Sequence, residues 1–276
     1  MNRLFILIIF LVTGPFLRAQ VIGDLLQDES VLYAETKQVN QFFHRFNSEE
    51  DGKGKKIYEG NPAYRDNHLR KQTLPLIFDK ESTTLSKSIE NKFIKEVTNK
   101  NTPKYLEFHG GDWFAEVVID VTFDGNIKEA HLFLKLQEEE VGSKWVITRV
   151  YFEPFARLFF KDPSAVDKFL HPMSHELDFM NLAKVFREEG QVEYYTYDNF
   201  SPDFLSIFIY EMKIERLKFN GVKKVNFHFF QVDGYYFKLE EFNRAGFNNG
   251  WLITQLKEID QESKNRLIGT IYYEGN

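Results

Sequence analysis

Apolar positions along the chain switch twice from helical to strand spacing. Leu32, Val39, Phe42, Phe43 and Phe46 recur at helical intervals, and Asp28 or Ser30 stands ready to cap the start. A second helical stretch covers about Leu85 to Val97. The period then falls to two: Val117, Ile119, Val121 and Phe123 alternate with Glu116, Val118, Asp120 and Thr122. Asp124-Gly125-Asn126 supplies a turn, Glu138-Glu139-Glu140 a polar hairpin end, and a last strand begins at Trp145. The same order then returns. Phe179, Leu182, Ala183 and Phe186 fall at helical spacing after Pro172 and a Ser174 cap. Ser201-Pro202-Asp203 opens another helix carrying Phe204, Leu205, Phe208 and Met212. Asp233-Gly234 favours a tight hairpin, and the final strand begins at Trp251. The fold class expected is α+β, in two tandem units, each with N-terminal helices packed on a curved antiparallel sheet.

Self-similarity supports the duplication. Leu106-Glu107-Phe108-His109-Gly110 returns as Leu217-Lys218-Phe219-Asn220-Gly221, and Leu132-Phe133-Leu134-Lys135-Leu136 as Tyr235-Tyr236-Phe237-Lys238-Leu239. Trp145-Val146-Ile147-Thr148 returns as Trp251-Leu252-Ile253-Thr254. Three matches in one order point to a tandem duplication. The units expected are residues 30–160 and a shorter 172–260, followed by a C-terminal tail, 261–276. Lys161-Asp162-Pro163-Ser164 is turn chemistry and marks the join. With no long Gly/Ser linker, the halves are expected to pack on each other. An extra segment from about Asp51 to Lys80, holding Pro62 and Pro75, begins as a solvated loop and makes the units unequal.

The N-terminus adds a destination. Asn2 and Arg3 precede an apolar run from Leu4 to Val12, broken by Gly14 and Pro15 before Leu17-Arg18-Ala19. This is the grammar of a secretory signal peptide over residues 1–19, cleaved near Ala19–Gln20. A membrane anchor would need roughly 20 apolar residues, and Pro15 and Arg18 cut this run short. The chain has no Cys, so it has neither disulfides nor a cysteine to acylate as a lipoprotein. Its 29 Phe, 13 Tyr and 3 Trp provide bulk for a core without staples. Losing Arg3 and Arg18 from 35 basic residues leaves 33 against 41 acidic, a net of −8. That balance disfavours nucleic acid and anionic lipid as partners. The expected location is the periplasm or the exterior, as a protein not integral to a membrane.

Helices leading into a curved antiparallel sheet, with a closing strand such as Lys144-Trp145-Val146-Ile147-Thr148, resemble the nuclear transport factor 2-like (cystatin-like) superfamily. The resemblance covers about Ser30 to Phe155 and, less fully, Ser174 to Ile259. It implies a cone, with the sheet wrapped round the helices and a pocket at the open end. Its members include isomerases, dehydratases, ligand binders and interaction modules, so fold alone does not choose a function. Members often dimerise through the outer face of the sheet, which implies either a dimer or a pseudo-dimer within one chain.

No residue set is decisively catalytic. His171 and His175 are the metal candidates, since two His four apart on a helix share a face. Pro172 between them and the missing Glu after His171 favour instead a capped helix start. His109, His131, His228 and Asp120 lie on or near strands. Asp120 in a cone pocket would serve as a base, as the isomerase branch of the resemblance implies; the simpler reading is an outward-facing Asp. Asp51-Gly52-Lys53-Gly54-Lys55-Lys56 lacks the spacing of a phosphate loop, and Asp120 to Asn126 lacks calcium-loop ligands. Tyr194, Tyr195 and Tyr197 suit sugar stacking or, more simply, sheet packing. The reading is an exported non-catalytic binding or interaction module requiring no cofactor, with a small ligand, glycan or envelope protein as partner. The alternative is a small-pocket isomerase or hydro-lyase. High Phe content favours filled cores over open pockets.

Overall fold

The computed structural model describes residues 39–51, 55–140, 142–162, 170, 183–187, 192–198, 200–244 and 248–272. The signal-peptide segment, Leu32, the join beyond Asp162 and the His171–His175 pair lie outside these described residues.

The protein is α+β. Its strands are β1 (Trp113–Phe123), β2 (Asn126–Glu139), β3 (Gly142–Phe152), β4 (Leu217–Phe229), β5 (Tyr235–Phe242) and β6 (Gly250–Glu258). They form one antiparallel sheet in the order β3–β2–β1–β4–β5–β6. The two three-stranded meanders meet edge to edge, with β1 paired to β4 from Trp113↔Phe229 to Phe123↔Leu217. The expected pseudo-dimer contact through sheet faces is therefore replaced by backbone hydrogen bonds. The reason is physical: a lone meander exposes an unpaired edge, and pairing two such edges satisfies both.

Two of the matched fragments fall on corresponding strands. Phe133 faces Arg149 and Leu134 faces Ile147, so Thr148 is the extra residue of a bulge in β3. Lys238 faces Gln255 and Leu239 faces Ile253, so Thr254 is the extra residue in β6. Each hydroxyl donates across the ladder, Thr148 to the Phe133 carbonyl at 3.1 Å and Thr254 to that of Lys238 at 3.4 Å. The remaining match does not hold in three dimensions. Leu106–Gly110 precedes β1 as a turn, whereas Leu217–Gly221 opens β4.

Turn chemistry acts as expected at Asp124-Gly125, where φ is +48° and +77° and Phe123 pairs directly with Asn126. At Asp233-Gly234 the connection is longer, running from Phe230 to Gly234, with φ +79° at Gly234 alone.

Helices cover one face of the sheet. They are α1 (described over 39–47), α2 (Asn67–Thr73) with a 3-10 turn at Leu74–Ile77, α3 (Lys87–Val97), α4 (Glu153–Leu158) and α6 (Phe204–Lys213); a short α5 (Ala183–Arg187) lies between α4 and α6 in the chain. Their packing crosses the halves of the chain. From α1, Phe42 meets Phe229 and Phe237 at 6.0 and 6.4 Å; from α3, Phe93 meets Tyr235 and Phe237 at 5.1 and 5.8 Å. In return α6 places Phe208 6.3 Å from Phe152 at the end of β3, and Phe204 6.2 Å from Phe155 in α4. Alternation sends Trp113, Ala115, Val117, Ile119 and Val121 of β1 into this shared core.

The Asp51–Lys80 segment is an inserted helix, not only a loop. Asp66 caps α2 by accepting from the Leu69 amide at 2.8 Å. Arg70 on α2 is 0% exposed. It donates to the carbonyls of Phe46 (3.1 Å), Val97 (3.0 Å) and Lys104 (2.5 Å) and to Asn67 Oδ1 (3.0 Å). One cation thus serves the C-terminal ends of α1 and α3, where carbonyls lack helical partners and the dipole is negative. Helical spacing missed this because the buried residue is charged.

In α5 the buried side is Val185, while Phe186 is 68% exposed. Tyr194 and Tyr195 lie in a 3-10 turn (Val192–Tyr195) rather than a strand. The expected C-terminal tail carries a helix, α7 (Gln261–Tyr272). Ile268 packs against Phe114 and Phe230 on the opposite sheet face, and Lys264 pairs with Asp112 at 2.7 Å. Among the described residues no helix is long and apolar enough to cross a membrane.

Candidate functional site

A concavity lies where α1 crosses the ends of β5 and β6. Gln41, Phe42 and Arg45 come from one helical face, Glu241, Phe242 and Asn243 from the end of β5, and Asn249, Gly250 and Trp251 from the start of β6. They enclose a cleft of about 540 Å³, within the usual range for small-ligand sites. Gly250 has φ +76°, a conformation L side chains rarely adopt, and it turns the chain so that Trp251 enters β6. Trp251 is 5% exposed, and its indole N–H is buried with no hydrogen-bond partner among the described residues. Indole N–H is a donor only, and a buried donor without an acceptor costs roughly 1–3 kcal/mol.

One wall is firmly held. Phe78 bridges Ile253 in parallel, and the Asp79 amide donates to the Ile253 carbonyl at 2.9 Å. Arg244 pairs with Asp79 and Glu81 and lies 4.4 Å over the Phe242 ring. Asn248 donates to the Phe78 carbonyl at 2.8 Å and accepts from the Lys80 amide at 3.0 Å. The rim carries polar side chains. Gln41 and Asn243 are exposed, and Arg45 pairs with Glu50 at 3.6 Å. Partial burial raises the Glu241 carboxyl above its ordinary value.

A second cleft of about 520 Å³ adjoins the first and shares Arg45 and Asn249 with it. Its lining adds Leu76, Ile77 and Leu252 to Glu50, Asp51 and Lys80.

The opposite sheet face holds a chain of polar contacts centred on Glu116. Its Oε1 accepts from His131 Nδ1 at 2.8 Å, and its Oε2 from His228 Nε2 at 3.1 Å and Asn226 Nδ2 at 2.8 Å. Burial pushes this carboxyl up, but the bonds from His131, His228 and Asn226 outweigh that and hold it well below the carboxylate range. The two histidines differ. His131 turns its other nitrogen to Glu129 at 3.2 Å, so both nitrogens face carboxylates and the cation fits best. Its pKa is raised, first by the Glu116 hydrogen bond and, against a smaller cost of burial, by both carboxylates. His228 instead presents Nδ1 to the Tyr236 hydroxyl at 2.9 Å and stacks on Phe114 at 4.6 Å. Every ring nitrogen is already engaged, while Asn226 Oδ1 is buried with no partner among the described residues. Among the described residues no group of three His, Cys, Asp or Glu is placed to hold a metal.

No protein-family model, curated protein or solved structure matches the chain. The residues must therefore speak for themselves.

Of the strand residues singled out from sequence, His131 and His228 meet at Glu116. His109 is separate, contacting Ser143 Oγ at 3.1 Å in the loop before β1. Asp120 shares the parity of Glu116 and Val118 and lies on the face away from the aromatic core. The simpler reading of Asp120 is the one its position follows. In the sequence the signal for Glu116 is its parity with Asp120, with two histidines on the adjoining strands. The cleft was not legible at all, because it joins residues some 200 positions apart, Gln41 and Trp251, across halves read as separate.

Proposed function

We propose that this chain is an exported, non-catalytic binding module that holds a small ligand in the cleft between α1 and the β5–β6 ends. The observation that carries this is Trp251: its indole N–H is buried without a partner among the described residues in the wall of a polar-rimmed cleft, and a ligand acceptor drawn against it makes the bond that the free cleft leaves unmade. The packed interior points the same way. Phe46, Phe93, Phe152, Phe229 and Phe237 are fully buried at the centre of the core, and the cleft lies beside that core at the end of the sheet.

The signal-peptide grammar supports export, with the periplasm or exterior as destination. The paired bulges at Thr148 and Thr254 support descent of the two meanders from one duplicated unit. The order of helices and curved antiparallel strands supports kinship of that unit with the nuclear transport factor 2-like superfamily.

The test is a thermal-shift and amide-NMR screen of residues 20–276 against sugars, lipids and short peptides, repeated with Gln41→Trp. Gln41 is exposed, so the indole fills the cleft without entering the core. Saturable shifts at cleft residues that vanish in Gln41→Trp are the expected result. Binding that survives the substitution, or none from any class, overturns the assignment.

A further inference from the structure

We infer that the ligand of this cleft is a neutral carbohydrate, a short run of pyranose units; the inference rests on the cleft being the binding site.

Charge decides against ionic ligands. Across the two adjoining clefts Arg45 and Lys80 stand against Glu50, Asp51 and Glu241, and Arg45 already leans on Glu50 at 3.6 Å. Neither sign is concentrated, so no field selects a phosphate, a carboxylate or an amine.

Hydrogen-bonding capacity decides against a lipid chain. Gln41, Asn243 and Asn249 each bring an amide that donates and accepts, Trp251 brings a donor, and Glu241 an acceptor. An acyl chain would desolvate these groups and pair none of them. Hydroxyl groups donate and accept at once, which is the mixture this rim answers. The C–H faces of a pyranose ring need apolar surface as well. Half-buried Phe242 supplies it in one cleft, and exposed Leu76 in the other.

Topology decides against an extended peptide. Peptides commonly bind by adding a strand to an open sheet edge. Here the edge of β6 is already taken: Phe78 bridges Ile253, and the Ser82 and Thr84 hydroxyls donate to the Thr254 carbonyl at 3.4 and 3.3 Å. Two clefts of about 540 and 520 Å³ adjoin at Arg45 and Asn249, which gives room for more than a single ring.

The experiment uses the indole N–H signals of the three tryptophans in ¹⁵N-labelled residues 20–276. Trp113 Nε1 already donates to the Phe108 carbonyl at 2.9 Å and serves as an internal reference. Neutral disaccharides of glucose and of N-acetylglucosamine, their methyl glycosides, sodium decanoate and an uncharged blocked tripeptide are titrated separately. The expected result is a saturable shift of the Trp251 indole with a disaccharide while Trp113 stays still. Persistence with the methyl glycoside, whose reducing end is blocked as in a longer glycan, makes a glycan the source; loss on blocking makes it a free sugar. Trp251→Phe keeps a ring but removes the donor, and weakens sugar binding about three- to tenfold. Asn243→Ala, an exposed change, weakens it as well and guards against a folding defect in Trp251→Phe. A Trp251 response to decanoate or tripeptide but to no sugar overturns the carbohydrate assignment and leaves the binding-module reading standing. Silence towards every probe overturns both.

Discussion

Replacing Arg70 with Met keeps the length and the apolar stem of the side chain and deletes its four hydrogen bonds. Their consequences are unequal. The Val97 carbonyl also accepts from the Lys104 amide at 3.0 Å, so it retains a partner. Asn67 is only half-buried and reaches water. The Phe46 and Lys104 carbonyls lose their charged donor. At about 1–3 kcal/mol for the buried Phe46 acceptor, and less for the part-buried Lys104 one, the gross loss is about 2–5 kcal/mol. Met recovers part of it, because the folded state no longer desolvates a guanidinium, whose pKa burial has pulled down to about 10. The expected net loss is about 2–4 kcal/mol, equivalent to a fall in Tm of about 5–15 °C for a chain of this size. Urea unfolding followed by tryptophan fluorescence measures it directly, with an unchanged m-value as the sign that only stability moved. Arg70→Lys should lose nearly as much, because an ammonium cannot reach carbonyls from three segments at once. A loss below about 1 kcal/mol in Arg70→Met would show that water reaches those carbonyls, and the account of Arg70 as the shared cap of α1 and α3 would be wrong.

The Glu116 cluster makes stability depend on pH in two directions. Glu116 is depressed below its ordinary 4.5, so its contribution is present above that pH and is lost as pH falls. His131 is raised above its ordinary 6.5, so its contribution is full below that pH and is lost as pH rises through the folded value. The Tm deficit of Glu116→Gln should therefore be largest between pH 4.5 and 6.5, and the His131 titration seen by NMR should move down; a pH-independent deficit refutes the assignment. Gly125→Ala places a Cβ in open space but at φ +77°, so its cost is conformational, about 1–2 kcal/mol by thermal unfolding.

Much of the architecture was written in periodicity. The alternation of Val117, Ile119 and Val121 survives as the inward face of β1, and Ser201-Pro202-Asp203 does start α6, with Asp203 accepting from the Leu205 amide at 3.1 Å. Local chemistry suffices in such places because one side of the element meets one apolar surface. It fails where a contact is long-range. Nothing near Arg70 announces that it will be enclosed by carbonyls from Phe46, Val97 and Lys104, and a charged residue at a helical position reads as solvent-facing. The cleft is hidden for the same reason. Gln41 and Trp251 approach only because helices from one half lie on strands from the other, an exchange that hydrophobic spacing does not encode.

That exchange sets a sharp expectation for the divided chain. The matched fragments invite a cut near Lys161, yet each half covers the strands of its partner. A fragment ending there keeps α1 and α3 but loses Phe229, Tyr235 and Phe237, the rings on which Phe42 and Phe93 pack. It also bares β1 along its whole pairing with β4. The complementary fragment bares β4, and its α6 loses Phe152 and Phe155. Truncating one buried Phe typically costs about 3–5 kcal/mol, and whole domains are stable by only about 5–15 kcal/mol. Several lost ring contacts together with an open central strand exceed that margin. Residues 20–161 and 162–276 made separately should lack a cooperative thermal transition and slow-exchanging amides. Mixed from denaturant, they should recover both through β1–β4 pairing. Independent folding of either fragment would mean that its helices can close over its own strands, and the exchanged packing would then not be what holds the sheet together.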